Sequence, residues 1–233
     1  MPRLGTAYLY MLIHAGLSPW TIRLTLCSLD RLADGIRATW HRDVGRVDRA
    51  ALGPLPPRRL RDRIFAAAYS PIQAQHIIDW IAARRPQYAL ALRLQLAAGL
   101  RVGELTGLRP RMLDHTASAL VITNSTITKG GRDRFLPLPL PPDLFAVLAR
   151  RAAAHPSARL FPFHPDTLRA WVRRACSAQG IPSHGTHGFR HAFCRDLLTQ
   201  LLAQGLPPAQ ALQLITTLLG HGRPAATRPY LAE

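Results

Sequence analysis

His187-Gly188-Phe189-Arg190 sets an imidazole and a guanidinium three residues apart, and on a helix positions i and i+3 share a face. Such a pair suits a phosphate: the guanidinium grips two oxygens at once, and the imidazole exchanges protons near neutral pH. Taken alone, the pattern also occurs with no joint role. A second observation is Lys129. It is the only lysine in the chain, every other Lys/Arg side chain being arginine, and it stands in the turn Lys129-Gly130-Gly131. A partly desolvated lysine can release a proton at workable pH and arginine cannot; a solvated turn lysine is the plainer alternative. His187, His191 and Cys194 are spaced i, i+4, i+7 and would permit Zn²⁺. Arg190 falls inside that set and no fourth ligand is evident, so His191 reads better as a packed or hydrogen-bonded neighbour.

The elements that must position these residues are mostly helical. A first apolar segment runs from about Gly5 to Ala15. Gly16 stops it, Ser18 can cap the next helix, and Pro19 suits a first turn. That second helix is expected to reach about Asp34, with Ile22, Leu26, Leu29 and Leu32 as its apolar stripe and Arg23 and Arg31 off the stripe. Breaks fall at residues 53–59 and at Ser70-Pro71, where Ser70 caps a helix reaching about Ala83. Gln87 to Ala98 reads as a further helix. Ala119 to Thr123 and Arg134 to Leu138 read as short strands joined through the lysine turn. From Leu144 onward the pattern is helical again, broken at Pro156, Pro162, Pro182 and Pro207-Pro208. The expected class is mostly α with a small antiparallel β-sheet, divided between the two breaks into residues 1–68 and 69–233.

The formal net charge is +17 over 233 residues, which calls for a polyanionic partner and salt-sensitive binding. There is no apolar run near 18 residues and no signal peptide at Met1-Pro2-Arg3, so no membrane role is expected. Cys27, Cys176 and Cys194 are odd in number and far apart. They form no disulfide framework and suit a reducing cytoplasm.

Read together, several segments resemble the tyrosine recombinase (phage integrase) family. They are Gly99-Leu100-Arg101-Val102-Gly103-Glu104-Leu105, Lys129 ahead of Arg134-Phe135-Leu136-Pro137-Leu138, His187-x-x-Arg190, and Leu219-Gly220-His221 with Tyr230 nine residues on. Order and spacing agree from about Pro71 to Tyr230, and Gly16-Leu17-Ser18-Pro19-x-Thr21-Ile22 is similar to the family's core-binding domain. The resemblance implies a two-lobed clamp: a helical DNA-binding domain over 1–68 and a catalytic domain over 69–233.

It also implies roles. Tyr230 would attack a DNA phosphate, Arg101, Arg190 and His221 would hold its oxygens, Lys129 would protonate the leaving 5′-oxygen, and His187 would assist proton transfer, with Glu104 in support. Arg190→Ala would then slow cleavage and spare the fold. Arg23, Arg31, Arg132, Arg134, Arg169, Arg173 and Arg174 are candidate DNA contacts, the last three on one helix with Trp171. No metal, ATP or other cofactor is implied. The expected partners are double-stranded DNA, other copies in a homo-tetramer, and accessory DNA-bending proteins, with the protein at the nucleoid.

Pro229 holds Arg228 in extended geometry, which places Tyr230 at a helix start or in a loop. Family members usually continue past the tyrosine into a tail that docks on a neighbour, so the end at Glu233 suggests weaker assembly, another coupling contact or a truncated chain. Two other readings use the same residues: a degenerate integrase that only binds DNA, and a type IB topoisomerase-like enzyme. An RNA-binding module would need an aromatic RNP-type strand or a KH loop, and neither is evident.

Overall fold

The computed structural model describes residues 8, 11, 12, 14, 15, 19–45, 68–122, 134–136, 139–220 and 227. The chain divides into two compact units, residues 1–61 and 62–233.

In the first unit, helix α1 spans Pro19–Trp40. It passes the expected stop at Asp34 because one glycine, Gly35, costs a helix only about 1 kcal/mol relative to alanine. The helix ends where His41 turns to positive φ, beside an Arg37–Asp43 ion pair of 2.7 Å. Ile22, Leu26 and Ala33 form the buried stripe, whereas Leu32 is 59% exposed. The expectation for Leu32 is thus corrected: ten positions beyond Ile22 it has rotated off the face, and Ala33 takes its place.

The second unit begins with α2, Pro71–Ala82. Ser70 Oγ accepts from the Gln73 amide at 3.2 Å, and Gln73 Oε1 accepts from the Ser70 amide at 3.0 Å. This capping box satisfies two donors that the helix start would leave unpaired. Ala74, Ile77, Ile78 and Ile81 are buried. Helix α3, Pro86–Ala98, ends on left-handed Gly99 and leads into the short α4, Val102–Gly107.

A single 3₁₀ turn, Pro110–Met112, precedes a three-stranded antiparallel sheet of β1 (Leu113–Asp114), β2 (Ala119–Ile122) and β3 (Arg134–Leu136), in that order. Leu120 stands opposite Leu113 on one side and Leu136 on the other. The two expected strands are therefore joined by a two-residue β1 too short to carry an alternation signal.

Helices α5 (Pro142–Ala154), α6 (Pro165–Ala178), α7 (His187–Ala203) and α8 (Pro208–Leu218) complete the unit. Helices α3 and α7 form its centre and pack on each other. Both bury residues around much of their circumference: Ala91, Leu92, Leu94 and Gln95 in one, Gly188 through Cys194 in the other. A helix apolar on most sides must lie inside its unit. Buried Gln95 donates from Nε2 to the Leu100 carbonyl at 2.8 Å, so the α3–α4 turn is tied to the helix before it. Among the described residues, no helix is long and apolar enough to cross a membrane.

Candidate active site

Gly99 begins the site. Its φ is +59°, and a Cβ there would lie 2.3 Å from the Phe193 ring of α7. Glycine thus both turns the chain and lets α7 approach it. Two residues on, Arg101 caps α4. Glu104, 1% exposed, accepts from the Arg101 amide at 2.7 Å through Oε2 and from Arg101 Nη1 at 2.8 Å through Oε1. The Arg101 side chain keeps 25% of its surface exposed, so its guanidinium is oriented from inside while still meeting solvent.

Arg190 comes from the first turn of α7 and is completely buried. Its Nη1 donates to the Gly99 carbonyl and its Nη2 to the Leu219 carbonyl at 2.9 Å. Glu104 Oε2 lies 3.8 Å from Nη1. One guanidinium therefore gathers three sequence segments: Gly99-Leu100-Arg101, His187-x-x-Arg190 and Leu219-Gly220. Arg fits this place because its planar fork aims several donors in fixed directions.

His187 stands at the solvent edge of this group, and the His191 ring meets it edge-on at 5.0 Å. Desolvation, then the positive Arg190 and Arg101, push His187 down from 6.5 to about 4. Water at the exposed edge softens that shift, but its direction leaves a neutral imidazole at pH 7. His191, 5% exposed, is pushed down to about 3 by desolvation, then by His187, Arg190 and His184. Among the described residues no group of His, Cys, Asp or Glu is arranged to hold a metal ion; His187, His191 and Cys194 do not form one.

Arg101, Glu104, His187 and Arg190 are thus brought together. Lys129, Arg132, His221 and Tyr230 lie outside the described residues, as do the side chains of Arg23 in α1 and Arg134 in β3. Just ahead of Tyr230, Thr227 is fully buried, with its hydroxyl 2.9 Å from that of Thr216 on α8. Arg31 is exposed on α1. On α6, Arg169 pairs with Asp166, Arg173 is exposed, and Arg174 lies 5.5 Å from the Trp171 ring. That ring also neighbours Trp80 and Tyr88. A groove of about 670 Å³ between α2, α3 and α5 contains none of the site residues.

Sequence reasoning missed Tyr69. It is fully buried, and its hydroxyl accepts from the His184 amide at 2.9 Å, ahead of α7. The available signal was a large apolar residue just before an N-cap, a position that often packs on its helix. That signal does not point across the fold to α7.

The family model described as Phage integrase family matches residues 70–233. Tyrosine recombinase XerC of Methylobacterium sp. (strain 4-46) is 31% identical across 92% of this chain and 68% of its own length. XerC of Methylobacterium nodulans is 30% identical across 65% of this chain and 46% of its own length. Among solved structures, a lambda integrase dimer bound to a COC′ core site has a TM-score of 0.68 at 17% identity, covering 99% of this chain and 79% of that one. The Tn1549 transposon integrase in complex with circular intermediate DNA has a TM-score of 0.63 at 18% identity, covering 98% of this chain and 80% of that one. These structures share the fold, and the family model with the XerC relatives shows that the chain belongs to the phage integrase family of tyrosine recombinases.

Proposed function

We propose that this chain cleaves and rejoins DNA at defined sites through a covalent 3′-phosphotyrosine. The observation that carries this reading is the convergence on Arg190 of the segments bearing Arg101, His187 and, one residue past Gly220, His221. Tyr230 Oη attacks the scissile phosphorus, the P–O5′ bond breaks, and Lys129 gives its proton to the departing 5′-oxygen. Neutral His187 accepts the tyrosine proton. Arg101 meets the non-bridging oxygens from the solvent side and Arg190 supports them from behind, offsetting charge that grows in the transition state. His221 hydrogen-bonds the same phosphate, and Glu104 holds Arg101 in place. Rejoining is the reverse step, with a 5′-hydroxyl of another strand as nucleophile. The phosphotyrosine conserves the bond energy, so no ATP enters.

Residues 1–68 serve as a core-binding DNA domain and 69–233 as the catalytic domain. Arg31, Arg169, Arg173 and Arg174 meet DNA phosphates, together with Arg23, Arg132 and Arg134. Two duplexes are exchanged within a homo-tetramer at the nucleoid, with accessory DNA-bending proteins. The solved relatives bound to core-site and circular-intermediate DNA support a DNA partner.

The test is an SDS-quenched reaction with DNA carrying the flanks of the protein's own gene. Wild type yields protein covalently attached to DNA, while Tyr230→Phe binds the same DNA and yields none. An adduct that persists in Tyr230→Phe would move the nucleophile elsewhere.

A further inference from the structure

Tyr69 belongs to none of the segments that pointed to chemistry, yet it is tied to the start of α7 in several ways. Its hydroxyl accepts from the His184 amide at 2.9 Å and lies 3.5 Å from Cys176 Sγ on α6. A buried phenol needs partners for its polar end, and here the thiol sulfur can accept a hydrogen bond from its O–H. The ring lies tilted against His184 at 5.1 Å and against Phe189 at 5.0 Å. It fills the space a side chain at position 188 would need, since a Cβ on Gly188 would come within 2.5 Å of it. Its carbonyl accepts from Arg195 Nη2 at 3.0 Å, two turns farther along α7. The turn it grips, residues 183–186, includes left-handed Gly185. That turn's own ties are long: the Gly188 amide to the His184 and Gly185 carbonyls at 3.3 Å each, and the Gly185 amide to Ser183 Oγ at 3.4 Å.

We propose that Tyr69 is a positioning residue for the site: its hydroxyl, through the His184 amide, fixes where α7 begins and so where His187 is presented to a phosphate. This rests on the functional reading above for what His187 does, but not for the tie itself. The hydroxyl is the operative group, because phenylalanine would supply the same ring. Arg190, Arg101 and His191 neighbour His187, and His184 neighbours His191, so a shift of the turn changes the field at the His187 imidazole.

The test compares full-length wild type, Tyr69→Phe and Cys176→Ala. The His187 ring resonance is followed by NMR against pH, beside DNA affinity and single-turnover cleavage. In Tyr69→Phe the fold and DNA affinity are retained and the His187 resonance moves and titrates at higher pH. Cleavage slows about tenfold or more, since small misplacements of a reacting group are costly. Cys176→Ala costs some stability, because the buried phenol O–H loses an acceptor, but keeps the Tyr69–His184 bond and the wild-type His187 titration. An unmoved His187 resonance in Tyr69→Phe overturns the proposal. So does an equal change in Cys176→Ala, which would assign the effect to packing, or outright unfolding of Tyr69→Phe, which would make the hydroxyl a support of the whole fold. If wild type forms no adduct, the proposed chemistry falls and the NMR comparison still decides Tyr69.

Discussion

Arg190 donates from Nη2 to the carbonyl oxygen of Leu219 at 2.9 Å, fastening the end of α8 to the first turn of α7. Its other Nη reaches back to Gly99, beside Glu104. A residue expected to grip a phosphate is therefore also an internal strut. Because the side chain is fully buried, it acts on a phosphate from behind, through its charge, while its Nη donors hold the two carbonyls.

The strut changes what Arg190→Ala will report. The sequence suggests a slow enzyme with an intact fold. Its complete burial predicts instead a loss of about 3–5 kcal/mol, because Glu104 and two carbonyls lose a buried partner. Arg190→Lys keeps the charge without the fork and loses less. Urea unfolding of both variants checks this, and an Arg190→Ala chain within about 1 kcal/mol of wild type would show that the strut carries no stability.

Gly99→Ala strains the chain in two separable ways. An alanine at positive φ costs about 1–2 kcal/mol, and its Cβ meets the Phe193 ring. Gly99→Ala with Phe193→Leu should recover the steric part and keep the backbone part. If the double variant is no more stable than Gly99→Ala, the close approach of Phe193 is not what demands glycine.

His191 sets a pH dependence of stability. Its folded pKa lies below its unfolded value near 6.5, so between about pH 6.5 and 3 the unfolded chain binds a proton that the folded chain refuses. Stability is thus full above 6.5 and falls with pH by up to about 1.4 kcal/mol per unit from this group. His187 adds less, because solvent screens it. Denaturation midpoints from pH 7 to 5 should fall more steeply for wild type than for His191→Asn, and parallel profiles would remove His191 as the cause.

Lys129 is tested by its leaving group. Lys129→Ala should slow cleavage of ordinary DNA by about 10²–10⁴-fold, the usual worth of a general acid. A 5′-thiolate leaving group needs no proton and should restore the rate. Equal defects on both substrates would take Lys129 out of the acid role.

The sequence by itself determined the helical class, the β2–β3 pair, the capped start of α2 and the family, because caps, glycines and short motifs act over a few residues. Through the resemblance to that family it also nominated Arg101, Glu104, His187 and Arg190. Only the tertiary structure decided that Arg190 is buried, that it spans from Gly99 to Leu219 across 91 and 29 residues of chain, and that Tyr69 reaches His184 across 115. Spacing along one helix shows which residues share a face. Which distant carbonyl that face meets is fixed only when α3, α7 and α8 pack. The same packing makes Arg190 a strut, partly desolvates His187 and sets the positive Arg190 and Arg101 beside it, which lowers its pKa.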